Sequence, residues 1–335
     1  MTAPALELCG VVKRYGRLTA LDGLDLTVPR GALFGLVGSN GAGKTTAMAL
    51  SVGLLRGHAG SVNLFGEGPF DPLRHAGRVT LLPQDARLPL HARVGELLGW
   101  YAALQGLPPH EAESAVEEAL EWVHLADRRL APVRTLSHGM MRRVTIAQAF
   151  LGRPELVLLD EPMSGLDPRE AARVRRILRR RRDAQTVVIS SHDLRELETL
   201  CDTAAFVEHG RRVRQDSMET LTCRGRTLLY HIRGPAPLAE LRVACPEVGW
   251  ISSPDGGRLT AQLAPDGPAA ESVNARALPV LLRAGAGVLE IRRGASLESE
   301  YLAATRDPAA AVEGGAAELE PPPLRAIEKG NGWST

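Results

Sequence analysis

The chain has 335 residues, 44% of them apolar and 24% charged, and its 40 basic and 39 acidic side chains leave a net charge of +1. That length suits one large domain or two modest ones; the composition excludes a fibrous or disordered chain, and the balanced charge draws it to no nucleic acid. No apolar run reaches the 18 or more residues of a membrane span, and MTAPALELCG has neither the basic nor the apolar region of a secretory leader.

Taken in order, Leu6 to Tyr15 and Leu18 to Val28 read as strands, the second closed by the turn Pro29-Arg30-Gly31. Gly31 to Val37 reads as a third, more apolar strand. Val79 to Leu82, Leu156 to Leu159, Thr186 to Ser190 and Ala204 to Val207 are short buried-strand candidates. Helical spacing of apolar residues recurs in Val94 to Leu104, Glu111 to Leu125, Met141 to Leu151 and Arg169 to Arg182. Strands alternating with helices predict an α/β fold around a largely parallel, covered sheet. Arg173 to Arg182 is strongly basic, but Val174, Ile177 and Leu178 share one face, so a packed helix with a solvated arginine face is expected.

Beyond about Arg224 the texture changes. Thr227 to Ile232, Arg258 to Leu263 and Val288 to Ile291 read as strands and Ala275 to Ala284 as a helix, a small α+β unit over residues 224–306. Residues 307–335 hold Ala, Gly, Glu and Pro with few large apolar groups and predict a disordered tail. Cys9, Cys201, Cys223 and Cys245 lie far apart without a CxxC pair, which predicts buried reduced thiols and no metal site.

The chemistry concentrates at strand ends. Gly38-Ser39-Asn40-Gly41-Ala42-Gly43-Lys44-Thr45-Thr46 follows the third strand and fits GxxxxGK[ST] in its strand–loop–helix context. Gly38, Gly41 and Gly43 are expected to take positive φ and let backbone N–H groups close on an anion above the positive end of a helix. Lys44 adds a charge for the β- and γ-phosphates, and Thr45 is placed to ligate Mg²⁺. This is a nucleoside-triphosphate site.

Leu156-Val157-Leu158-Leu159 ends in Asp160-Glu161. Alternation along an extended chain would aim the two carboxylates differently, Asp160 at the metal and Glu161 at the attacking water as general base. An acidic pair before Pro162 could also cap a helix; the upstream loop favours catalysis. His192 ends another strand and would contact the γ-phosphate or the water, since ligands of open α/β sheets lie beyond the carboxyl ends of strands.

One segment separates this chain from other phosphate-loop proteins: Leu136-Ser137-His138-Gly139-Met140, with Ser137 lying 93 residues beyond Lys44. With Tyr15, Gln84 in Leu82-Pro83-Gln84-Asp85, and Ser164-Gly165-Leu166-Asp167, it makes residues 5–223 resemble the ATP-binding subunits of ABC transporters, most closely bacterial exporter ATPases whose permease is encoded separately. The resemblance implies a P-loop NTPase of the ABC ATPase type, with a RecA-like core, an antiparallel β subdomain and a helical signature subdomain. It implies that Tyr15 stacks on adenine, that Gln84 reaches Mg²⁺ and the attacking water, that Ser137 and Gly139 touch the γ-phosphate held by a second subunit, and that Asp167 links the two sites.

Partners follow in the same way: a second nucleotide-binding subunit, identical or not, and an integral-membrane permease meeting the Leu88 to Leu107 region at the cytoplasmic face of the membrane. That region also suits ordinary core packing. The signature departs from the family's usual LSGGQ, with His138 for a glycine and Met140 for the glutamine, which puts a ribose contact in doubt. The α+β unit resembles the extension of many exporter ATPases, Leu297-Glu298-Ser299-Glu300-Tyr301-Leu302 its ending. An ATP-switched protein that signals or transmits force to a membrane partner would carry the same motifs, and the transported substrate is not written in this chain.

Overall fold

The computed structural model describes residues 3–180, 185–222, 227–264, 267–294 and 296–305. β1 (Leu6–Tyr15) and β2 (Leu18–Val28) pair antiparallel, β3 (Leu33–Val37) leads into α1 (Lys44–Ser51), and β4 (Ala59–Leu64) returns to the free side of β1. There follow α2 (Pro72–His75), β5 (Val79–Leu82), α3 (Val94–Leu104), α4 (Pro109–Trp122), α5 (His138–Ala149), β6 (Leu156–Leu159) and α6 (Pro168–Arg179). Next come β7 (Thr186–Ser191), α7 (Leu194–Leu200), β8 (Thr203–Glu208), β9 (Arg211–Ser217) and α8 (Met218–Leu221).

The central sheet has the order β5-β6-β7-β3-β8-β9, parallel except for β9 at its edge. Its inner strands β3, β6 and β7 are buried at every position because both faces are covered, whereas the edge strand β9 is largely exposed. Side-chain alternation sorts them: Leu33, Val157, Leu159, Val187, Ile189 and Phe206 face a layer made by α5, α6 and α7. Phe34, Leu36, Leu158, Val188 and Val207 face α1 and the three-stranded sheet β2-β1-β4. A third apolar cluster joins α3, α4 and α5.

The remaining elements are β10 (Thr227–Arg233), α9 (Leu238–Ala244), β11 (Gly249–Ser252), β12 (Arg258–Gln262), α10 (Ala270–Arg283), β13 (Gly287–Arg293) and α11 (Leu297–Thr305). Strand order β11-β12-β10-β13, antiparallel throughout, with a helix after the first and third strands, is the split βαβ arrangement. Its own core gathers Leu228, Tyr230, Trp250, Leu259, Val273 and Leu281. α11 lies elsewhere: Leu297 is fully buried in the layer that covers the central sheet, with Tyr301 and Ala304 packed beside it.

Several expectations shift by a few residues. The third strand starts at Leu33, because Gly31 first turns the chain at φ 73. The helix expected from Glu111 runs Pro109–Trp122 and ends where His124 takes a left-handed φ of 57, before the expected Leu125. The helix expected from Met141 begins at His138. α6 buries Ala171, Val174, Ile177 and Leu178 and leaves its arginines outward, as expected for the described part. Cys201 and Cys245 are buried free thiols, but Cys9 is exposed: Leu6 and Leu8 of β1 face the core, so side-chain alternation turns Cys9 to the open face. Cys223 and the expected tail at 307–335 lie outside the described residues. Among the described residues no helix is long and apolar enough to cross a membrane.

Candidate functional site

β3, β6 and β7 are neighbours, and their carboxyl ends carry Gly38–Lys44, Asp160–Glu161 and His192. The loop wraps the first turn of α1. Gly41 and Gly43 take φ of 82 and 105, and no side chain caps the helix, so its first N–H groups face outward for a ligand. Gly38 corrects the expectation made for it: its φ is not positive. Its need for glycine is closeness, since a Cβ would lie 2.3 Å from the Val207 carbonyl oxygen.

Lys44 is buried, its Nζ donating to the carbonyls of Gly38 at 2.8 Å and Ser39 at 3.1 Å, 3.7 Å from Glu161 Oε1. Desolvation pulls the ammonium below its ordinary pKa, and the negative charges of Glu161, Asp160 and Glu208 oppose that pull. Ser39, Asn40, Gly41 and Thr45 are exposed at the rim, Thr46 is half-buried and Ala42 is buried.

The two carboxylates diverge, for a reason other than strand alternation. β6 ends at Leu159, and Glu161 sits in the left-handed region at φ 46. Such backbone costs on the order of 1–3 kcal/mol for a residue with a Cβ and persists only where the surroundings hold it. Here they do: the Glu161 N–H donates to Ser190 Oγ at 2.8 Å, and its carbonyl accepts from Arg142 Nη2 at 2.6 Å. The turn aims the Glu161 carboxylate at Lys44 on one side and at His192 Nδ1, 3.1 Å from Oε2, on the other. Asp160 takes a different partner and is 1% exposed; its Oδ1 accepts from Ser190 Oγ.

Asp160 Oδ2 is buried and, among the described residues, has no hydrogen-bond partner. An orphaned anionic oxygen is costly unless a cation completes it, which fits Mg²⁺ on this aspartate. Thr45 and Gln84 carry the other oxygen donors assigned to the ion, and both are exposed. Gln84 is tied to the site through its backbone: Arg142 Nη1 donates to its carbonyl at 3.3 Å.

Ser137 is the N-cap of α5, its Oγ accepting from the Met140 N–H at 3.2 Å. Gly139 is buried in the first turn, where a Cβ would meet Glu170 Cγ at 2.6 Å. Asp167 caps α6 by accepting from the Arg169 and Glu170 N–H groups at 2.9 and 3.1 Å. These residues form a second group: Arg143 on α5 and Glu170 on α6 approach to 3.3 Å and hold the two helix starts side by side. Among the described residues no hydrogen bond or ion pair joins Ser137 or Gly139 to Lys44. Met140 packs against the helical cluster of α3, α4 and α5, so an apolar residue there has a structural use. Tyr15 ends β1, 40% exposed, with Lys13 Nζ 5.2 Å from its ring centre.

Reasoning from sequence missed Arg142 and Arg143. Both are buried, with pKa values lowered by desolvation, and Arg142 binds the carbonyls of Pro162, Glu161 and Gln84 at once. The signal was there: two adjacent arginines interrupt the apolar face of a helix that packs on the sheet.

A family model described as ABC transporter matches residues 21–164. A Nod factor export ATP-binding protein I of Burkholderia thailandensis is 34% identical over 326 residues, covering 91% of this chain and 98% of that protein. One of Ralstonia nicotianae is 36% identical over 219 residues, 64% of this chain and 67% of that protein. Among solved structures, an ATP binding subunit of an ABC transporter superposes with a TM-score of 0.58 at 25% identity, covering 66% of this chain and 92% of that one. CbiO1 of Clostridium perfringens, part of the ABC transporter complex CbiONQ, does so with a TM-score of 0.59 at 25% identity, covering 66% and 91%.

Proposed function

Since this chain belongs to the ATP-binding subunits of ABC transporters and is an ATPase coupled to transport, we propose that it binds Mg-ATP at the Gly38–Thr46 loop and hydrolyses it between two facing copies of the module to power export through a separate permease. Residues 5–223 form that module in this reading, and residues 224–306 an accessory domain. The observation that carries it is the convergence of Lys44 and His192 on the two oxygens of a single strained, buried glutamate.

Each residue then has a task. Lys44 and the first N–H groups of α1 hold the β- and γ-phosphates. Tyr15 offers its exposed ring to the adenine. Glu161 accepts the proton of the attacking water, and His192 orients that carboxylate from its other side. Thr45, Asp160 and Gln84 would hold Mg²⁺, which would supply positive charge against the phosphates. Ser137 and Gly139 meet the γ-phosphate of the opposite copy and Asp167 spans the two sites. Trp100 and Leu104, exposed on α3 while Val94, Leu97 and Leu98 are buried, give the permease an apolar contact on the stretch that follows Gln84 in the sequence. The reading places the chain at the cytoplasmic face of the membrane. The naming of relatives that cover nearly the whole chain for export supports the direction; the cargo is set by whatever lines the permease.

The test is Glu161→Gln in the assembled transporter. ATP turnover should fall by about 10²- to 10⁴-fold while ATP binding is retained. Normal turnover in that variant would remove Glu161 from its role as base.

A further inference from the structure

We propose that Tyr301, on α11, is a positioning residue for the phosphate loop: its hydroxyl, bound to Ser39 and Glu208, sets how tightly the loop grips a nucleotide. The inference rests on the nucleotide-site reading above and adds to it a residue from outside the motifs of that site.

Three groups close a ring of hydrogen bonds at the entrance to the loop. The Ser39 N–H donates to the Tyr301 hydroxyl oxygen at 3.1 Å. The Ser39 hydroxyl donates to Glu208 Oε1 at 2.6 Å, and the Tyr301 hydroxyl donates to Glu208 Oε2. Both oxygens of the carboxylate are used, each hydroxyl proton is used once, and the second residue of the loop is held by backbone and side chain together. The participants come from the loop, the end of β8 and a helix 262 residues after Ser39.

The helix is built to deliver that oxygen. Leu297 is fully buried in the layer beneath, its N–H donating to Glu198 Oε2 at 3.1 Å, and Glu300 pairs with Arg214 at 3.2 Å. The Tyr301 ring stands edge-on to Phe206, centroids 5.5 Å apart with planes at 88°. Burial and the bond to Glu208 push the phenol up to about 12, so it stays a donor at neutral pH.

Two consequences bear on nucleotide binding. Glu208 is one of the three carboxylates whose charge acts on Lys44. With both oxygens held by hydroxyls it forms no ion pair with Lys44 among the described residues; with one released it is free to compete with phosphate for the ammonium and to repel the anion. Loss of the tyrosine hydroxyl also leaves the Ser39 N–H without its acceptor, so the loop gives up its preformed shape and binding must restore it.

The experiment measures Mg-ATP and Mg-ADP affinity of the full chain by titration calorimetry for wild type, Tyr301→Phe, Tyr301→Leu and Lys44→Ala, with thermal melts of each. Tyr301→Phe keeps the ring on Phe206 and removes only the oxygen; affinity should fall about five- to ten-fold with the melting temperature unmoved. Amide exchange at Ser39 should quicken in the same variant. Tyr301→Leu should lower both affinity and melting temperature, because the ring contact goes too. In a Glu208→Ala background, Tyr301→Phe should have lost most of its effect, since the two act as one unit. If Lys44→Ala abolishes binding while Tyr301→Phe binds as wild type does, this inference falls and the nucleotide-site reading stands. If wild type binds no nucleotide, both fall.

Discussion

The chain presents two helix starts suited to an anion, and they are finished in different ways. α1 opens at Gly43, in left-handed backbone with no side chain on its free N–H groups, beside a buried lysine. α5 opens at Ser137, exposed, with one of its N–H groups already taken by the serine oxygen. The first is a complete cradle within one chain, shielded enough for Lys44 to feel desolvation. The second has one of its N–H groups met by its own serine oxygen, and in the proposed reading the Ser137 hydroxyl is left to donate to a phosphate brought by another copy. On the proposed reading the difference makes binding and hydrolysis separable: one site is built by folding, the other by assembly.

Breaking the first start should cost most. Lys44→Ala removes the buried charge and should weaken Mg-ATP binding to the single chain by about 100-fold or more, read by calorimetry. Arg142→Leu attacks the link between α5 and the strand ends. It leaves the carbonyls of Pro162 and Gln84 without the Arg142 donor and that of Glu161 with only the Ser164 N–H, so unfolding in urea should show a loss of about 3 kcal/mol. The left-handed turn at Glu161 loses a support as well, so turnover should fall with KM little changed. Ser137→Ala sharpens the contrast: nucleotide affinity of the single chain should stay within about two-fold, while ATPase activity of the assembled transporter drops about ten-fold. The cap itself is worth about 1 kcal/mol in a thermal melt. Should Ser137→Ala weaken nucleotide binding by the lone chain as much as Lys44→Ala does, the division between a site built by folding and one built by assembly is wrong.

Legibility in the sequence followed burial and locality. Strands β3, β6 and β7 were readable because continuous apolar runs of that length suit a sheet covered on both faces. β4 and β9 were not: Ala59–Leu64 and Arg211–Ser217 are largely exposed edge strands, held by pairing rather than by apolar pattern. β11 holds one buried residue, Trp250, in four, too little for a period. The loop, Asp160, Glu161 and His192 were legible because each sits at the end of such a run. Arg142, Ser190 and the ring of Ser39, Glu208 and Tyr301 were not, since their partners lie 19 to 262 positions away.

By itself the sequence determined the chemistry at hand: which groups can carry charge, that Gly41 and Gly43 free the loop backbone, and which strands are buried enough to hold these groups at their ends. Those are properties of residue types at short spacing, and no distant contact changes them. The tertiary structure alone decided how the groups are aimed. A left-handed Glu161 pinned by Ser190 and Arg142, an orphaned Asp160 oxygen and a loop tied to α11 all depend on contacts between remote segments. Hydrogen bonds in a desolvated interior hold such geometry against its strain, and they exist only once the chain has closed on itself.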